Sequence, residues 1–284
     1  MNARMEKIHC NGINIQTATW EGAGKTLLAV HGITANCMVW ETLAAALTPE
    51  HKIIAVDLRG RGKSDKPASG YSIDHHVQDL RCLIDKMELS EVVIMGHSLG
   101  AFISLVFAAL YPQTAHGLVM IDGGGSMPPE KWDKVAAAIK PSKDRLGKLY
   151  AGEDAYLNEM MALKYHEPWN QAKTDYFNYE LVKKEGGVSC GINPENIKEE
   201  ADNIRKIKPE EFYSKISCAA LILRATEGLM DRDDILLPDE TVNRMLQNIS
   251  SVQAVSISGA NHYSILFDHF DKRDQAIREY LSRL

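Results

Sequence analysis

Residues 92–102 read VVIMGHSLGAF: an apolar run, then Gly96-His97-Ser98-Leu99-Gly100, then apolar character again. The first part is uncharged and rich in β-branched residues, as expected of a strand buried on both faces. The last part opens a helical stretch that stops at Tyr111, before Pro112. A serine set between two glycines at a strand-to-helix handover makes a steric demand. The bend is so sharp that the serine takes strained φ/ψ, and its neighbours two positions either side cannot carry a β-carbon. Such a bend lifts the hydroxyl clear of the sheet. It also aims the free N–H groups of the next helix at whatever the hydroxyl attacks. Ser98 is therefore the candidate nucleophile.

Working outward, further apolar runs occupy 26–31, 52–57, 117–122, 219–225 and 251–257, with helical patterns at 40–47 and 74–87 between them. Two more strands, near 5–10 and 14–20, meet at Asn11-Gly12 as an antiparallel hairpin. This rhythm predicts an α/β fold: a mostly parallel, eight-stranded, doubly wound sheet with the hairpin at its edge. The rhythm breaks over 126–214, which is charged, helix-prone and without buried-strand runs. A helix start stands there at Asn193-Pro194-Glu195, with Asn as N-cap and Pro at the first helical position. The expected organisation is a core of residues 1–125 and 215–284 with a helical cap, 126–214, inserted after the sixth strand of the sheet.

The chain has 284 residues, 45% of them hydrophobic, enough for one large core and an appended lobe. Its net charge of −6 argues against a nucleic-acid partner. The run from Val92 to Ile121 lacks Asp, Glu, Lys and Arg, but His97, Pro112, Gln113 and His116 interrupt it. What remains falls short of the roughly 20 residues a spanning helix needs, so no membrane span is expected. The N-terminus lacks the apolar core of a secretory signal, and Cys10, Cys37, Cys82, Cys190 and Cys218 are scattered without metal-site spacing. These features suit reduced thiols in a cytoplasmic protein. No metal or cofactor is called for; a homodimer is left open, since the sequence does not give the oligomeric state.

A serine hydroxyl is a poor nucleophile at neutral pH, so a base and an orienting acid must accompany it. In an elbow architecture they follow the serine in the order acid, then histidine. SISGANHYSILFD (256–268) places His262 in the loop directly after the last strand, and His262 is the candidate base.

With these landmarks the chain resembles the α/β-hydrolase superfamily, in its capped, soluble branch. AVHGITAN (29–36) is similar to the family's His-Gly turn, DLRGRGKSDKP (57–67) to its segment after the next strand, and GHSLG to its elbow. Gly259–His262 resembles the loop that carries the family's histidine. The resemblance implies an oxyanion hole formed by the N–H groups of Ile33 and Leu99, where losing one donor typically costs about 3 kcal/mol. It places the acid just beyond the seventh strand, in RATEGLMDRDDILLPDE (224–240), ahead of a proline. Counting back from Pro238 selects Asp234. Counting from Arg224 favours Glu227, or Asp231 if the loop curls back. Asp122, after the sixth strand, is the fourth option, since some relatives carry the acid there. Asp231, Asp233 and Asp234 do not make a calcium loop, because Ile235 stands where a ligand should be. In the 57–67 segment, Arg59 and Asp65 are expected to pin the loop rather than act.

The expected activity is a cofactor-independent serine hydrolase, opening an ester or lactone of a small to medium, largely apolar substrate through an acyl-enzyme. His31, Trp40, His97, Trp132 and Trp169 are the candidate pocket residues. C–C bond hydrolysis, perhydrolysis and lyase-type chemistry use the same constellation, and a ligand-binding protein on a hydrolase fold is the reading from another class.

Overall fold

The structure is a computed structural model and describes residues 3–229 and 234–284. Eight strands form one sheet: β1 (Arg4–Cys10), β2 (Ile13–Trp20), β3 (Thr26–Val30), β4 (Lys52–Val56), β5 (Val92–His97), β6 (Ala115–Ile121) and, after an insertion, β10 (Ala219–Ala225) and β11 (Val252–Ile257). The insertion holds β7 (Leu149–Tyr150), β8 (Leu181–Lys184) and β9 (Gly187–Cys190). The order in the large sheet is β1-β2-β4-β3-β5-β6-β10-β11. β2 runs antiparallel to both its neighbours, and the other pairings are parallel. The edge hairpin turns through Asn11 and Gly12 with φ of 49° and 76°, the double positive φ that a tight right-twisted hairpin requires.

The helices in chain order are α1 (Glu41–Leu47), α2 (Ile73–Lys86), α3 (Leu99–Leu110), α4 (Pro129–Ala138), α5 (Lys140–Asp144), α6 (Glu153–Met161), α7 (Gln171–Tyr179), α8 (Pro194–Ile204), α9 (Glu210–Tyr213), α10 (Asp239–Asn248), α11 (Ser264–Phe267) and α12 (Asp271–Leu281). Successive strand residues serve opposite faces of the sheet. Leu28, Ile54 and Ile94 pack with Leu80 of α2, Phe107 of α3 and Met245 of α10. Leu27, Ile53 and Val93 pack on the other side with Leu43 of α1 and Ile277 of α12. Two covered faces explain why these strands read as unbroken apolar runs.

The region expected to be a helical cap contains six helices, but it also holds a small antiparallel sheet ordered β7-β9-β8. Its hairpin turns at Glu185-Gly186, with Gly186 at φ 81°. β8 and β9 are four residues each, β8 half-exposed and β9 mostly buried, and four residues are too few for a long apolar run. The N-cap at Asn193 is formed as expected, its side-chain oxygen accepting from Glu195 N at 3.0 Å. Among the described residues no helix is long and apolar enough to cross a membrane.

Candidate active site

Ser98 stands between β5 and α3 with φ 56° and ψ −119°, a left-handed backbone that a non-glycine residue adopts only under constraint. The constraint is visible on both sides. A β-carbon on Gly96 would collide with the carbonyl of Gly100, and one on Gly100 with the carbonyl of Val30. Ser98 N donates to Ile121 O at 3.1 Å, tying the bend to the end of β6. Ser98 is half-buried and faces a cavity.

His262 lies in the loop after β11 and lines the same cavity. Its Nδ1 meets Asp122 Oδ2 at 2.7 Å, with both side chains buried. Here the structure corrects the ranking made from spacing, because the carboxylate on His262 is the fourth option. Asp122 is the first residue past β6. Its N–H donates to Leu223 O at 2.8 Å, and its Oδ1 accepts from Ala225 N at 3.1 Å, so the end of β10 fixes its second oxygen on the imidazole. Asp234, the first choice, is buried within its own loop, where Oδ1 accepts from Leu229 N at 2.6 Å. Glu227 is exposed, its Oε1 accepting from Thr226 Oγ1 at 3.4 Å. Asp231 lies outside the described residues, as does Asp233. A signal for Asp122 existed in the run Asp122-Gly123-Gly124-Gly125. A β-carbon on Gly123 would come within 2.6 Å of Ser98 O and 3.0 Å of Ser98 Cα, so glycine there lets this loop lie against the elbow.

His97 is buried beside His262, ring centroids 4.5 Å apart. Burial, then the neighbouring His262, holds it well below the usual imidazole range, so it is neutral. Its Nε2–H donates to His262 O at 2.8 Å, fixing the backbone that carries the candidate base.

The loop after β3 is held carbonyl by carbonyl. His31 is pushed down to about 3, mainly by burial. In the neutral ring Nδ1–H donates to Gly32 O at 2.7 Å while Nε2 accepts from Leu58 N at 3.0 Å. Arg61 Nε donates to Ile33 O at 3.1 Å, and Arg145 Nη2 donates to Thr34 O at 2.7 Å. Both guanidiniums are buried and paired with carboxylates of the insertion, Arg61 with Glu200 at 3.0 Å and Arg145 with Glu180 at 2.7 Å. His76 Nε2 also meets Glu200, at 2.7 Å. Burial pushes Glu200 up, but His76 and Arg61 outweigh it and hold the carboxyl down at about 2. With these carbonyls engaged, the amides of Ile33 and Leu99 donate to no backbone acceptor among the described residues. The 57–67 segment is pinned as expected: Arg59 grips Asp79 with two bonds of 2.7 Å, and Asp65 Oδ2 accepts from Asn14 N at 2.8 Å.

The cavity measures about 110 Å³ and is walled by both the sheet loops and the insertion. Of the candidate pocket residues, His97 and Trp132 are on its wall. Trp40 is instead fully buried in the core beneath α1, and His31 is the fully buried loop clamp just described. Trp169 packs on Phe177 with ring centroids 5.6 Å apart and donates Nε1–H to Thr174 Oγ1 at 2.8 Å. Large aromatics do the work of core packing as readily as that of a pocket, and the sequence pattern does not separate the two. Lys143, Arg205 and Tyr176 line the cavity without any local signal having marked them. Among the described residues no group of His, Cys, Asp and Glu could hold a metal ion.

The alpha/beta hydrolase fold family model matches residues 25–161. A 2-(acetamidomethylene)succinate hydrolase of Mesorhizobium japonicum is 36% identical over 137 residues, 48% of this chain and 49% of that one. An uncharacterised protein of Mycobacterium tuberculosis is 36% identical over 104 residues, 37% of this chain and 30% of that protein. The chain thus spans between about a third and a half of the length of these curated relatives. A solved structure of E-2-(acetamidomethylene)succinate hydrolase superposes with a TM-score of 0.87 at 23% identity, over 99% of both chains. Elbow, sheet order and the family-model match agree: the chain has the α/β-hydrolase fold.

Proposed function

We propose that the protein is a serine hydrolase that cleaves an acyl bond in a small-molecule substrate through an acyl-enzyme. The observation that carries this reading is the 2.7 Å bond from His262 Nδ1 to Asp122, beside a cavity that Ser98 also lines. With Nδ1–H given to Asp122, Nε2 is the lone-pair nitrogen and serves as the base. Ser98 Oγ attacks the substrate carbonyl carbon as its proton passes to His262 Nε2. The carbonyl oxygen takes the negative charge and is stabilised by the N–H groups of Ile33 and Leu99. Asp122 stabilises the imidazolium. Collapse of the intermediate expels the leaving group, which takes the proton from His262. A water deprotonated by His262 then attacks the acyl carbon and frees Ser98. The insertion, 126–214, acts as the cap that closes the cavity and sets specificity.

The leaving atom is the oxygen of an ester or lactone on the residues alone. A second reading, an acyl C–N bond, is favoured by the relative named 2-(acetamidomethylene)succinate hydrolase, which is 36% identical over 48% of this chain. A fluorophosphonate probe read by mass spectrometry tests the chemistry common to both. Labelling at Ser98 that is lost in Ser98→Ala and His262→Ala supports the reading, and folded protein that takes no label overturns it. A panel of 4-nitrophenyl esters, lactones and N-acyl amides then selects the bond.

A further inference from the structure

The charged, hydroxyl and imidazole groups on the cavity wall can be accounted for one by one. Ser98 and His262 are the reacting pair, and His97 is spent on His262 O. Thr34 Oγ1 lies 3.3 Å from Ser142 Oγ, and Tyr176 Oη donates to Thr34 O at 3.5 Å. The hydroxyl of Tyr263 is engaged with Ser142. Arg205 is paired with Asp133 at 3.0 Å on the exposed side. Lys143 remains. It is half-buried, lines the cavity and has no side-chain hydrogen bond or ion pair among the described residues. The adjacent carboxylate, Asp144, is already taken by Lys140 at 2.6 Å. No Asp or Glu lines the cavity among the described residues, so its cations meet no anion from its own wall.

From this imbalance we infer that the substrate carries a carboxylate, or an equivalent anionic group, which Lys143 takes as its partner. The inference rests on the serine-hydrolase reading for the identity of the reacting end, and it refines the expectation of a largely apolar substrate. Lys143 is well placed to discriminate because its helix is fixed. Ser142, one residue before it, is buried against Thr34 and accepts from Arg145 Nη1 at 3.0 Å, so α5 is docked on the loop that carries Ile33. An ammonium on a wall that is otherwise mostly apolar loses hydration when a ligand enters. A carboxylate returns that loss as a charge-assisted hydrogen bond, whereas a neutral group of the same shape does not. The negatively charged chain thus offers an anionic substrate a positive cavity at the nucleophile.

The test compares mono-4-nitrophenyl succinate with 4-nitrophenyl 4-methylpentanoate, which replaces the carboxylate by a branched methyl pair of similar shape. Rates are corrected for spontaneous hydrolysis. The wild type should favour the anionic ester by about 10- to 100-fold in kcat/KM, carried mainly by KM, the scale of one hydrogen bond to a charged group. Lys143→Met should erase the preference, Lys143→Arg should retain most of it, and Lys140→Met should leave it untouched. Absence of a preference in the wild type, or its survival in Lys143→Met, overturns the inference while leaving the hydrolase reading intact. If neither ester turns over and Ser98 takes no label, the hydrolase reading fails. Calorimetric binding of succinate to the wild type and to Lys143→Met then decides this inference independently: binding lost in the variant supports it, and binding unchanged or absent in both overturns it.

Discussion

The loop after β6 and the loop after β10 leave the same ends of two neighbouring parallel strands, and both carry aspartates within reach of a turn. They behave differently. Asp122 takes its position at once, at φ 44°, with its own N–H and one carboxylate oxygen bonded to the end of β10. The loop after β10 is longer, and its Asp234 turns back onto Leu229 N of the same loop. A carboxylate that must hold an imidazole in one tautomer gains from a site the sheet fixes directly. Distance from a proline carries no such information.

The largest expected effect breaks this contrast if it fails. Asp122→Asn should lower kcat by about 10³- to 10⁴-fold while the thermal midpoint stays near that of the wild type, because the amide favours the wrong imidazole tautomer. A comparable kcat loss in Asp234→Asn, with Asp122→Asn active, would reverse the assignment. Gly123→Ala should cost about 1–3 kcal/mol in a denaturant titration and lower turnover, since the new methyl presses on the Ser98 backbone. Asp234→Asn should leave kcat within about threefold but cost about 1 kcal/mol, the difference between a charged and a neutral acceptor on the Leu229 N–H. Glu227→Gln, on the exposed rim of that loop, should stay within about 0.5 kcal/mol and keep wild-type kinetics.

What the sequence made legible follows the range of the contacts involved. The elbow is a five-residue device whose glycines are required by atoms only a few positions away, so its pattern could be read directly. The sheet could be read because burial on both faces leaves the same unbroken apolar signature in β3, β4, β5, β6 and β10. The bond from Asp122 to His262 joins residues 140 apart, and no local pattern distinguishes it from a solvated aspartate at a strand end. The glycine run after Asp122 was the available clue, and it becomes readable only once the elbow is known to pack there. Arg145 and Lys143 sit in a charged stretch that looks like any exposed helix, and only the folded chain separates a buried clamp from a cavity wall. The β8–β9 hairpin was passed over for the opposite reason: it is too small to need an apolar run.

The clamp on Gly32, Ile33 and Thr34 bears on how freely such a lid can be exchanged. Two of its three anchors draw on Glu180 and Glu200, so the part of the chain proposed to select a substrate also braces the amide expected to face the reacting oxygen. A chimera that replaced 126–214 wholesale would leave Arg61 buried without its counter-charge and Thr34 O without Arg145. If the insertion is the specificity lid proposed above, its selectivity is best retuned by point changes on its cavity side, with the arginine–glutamate braces left in place.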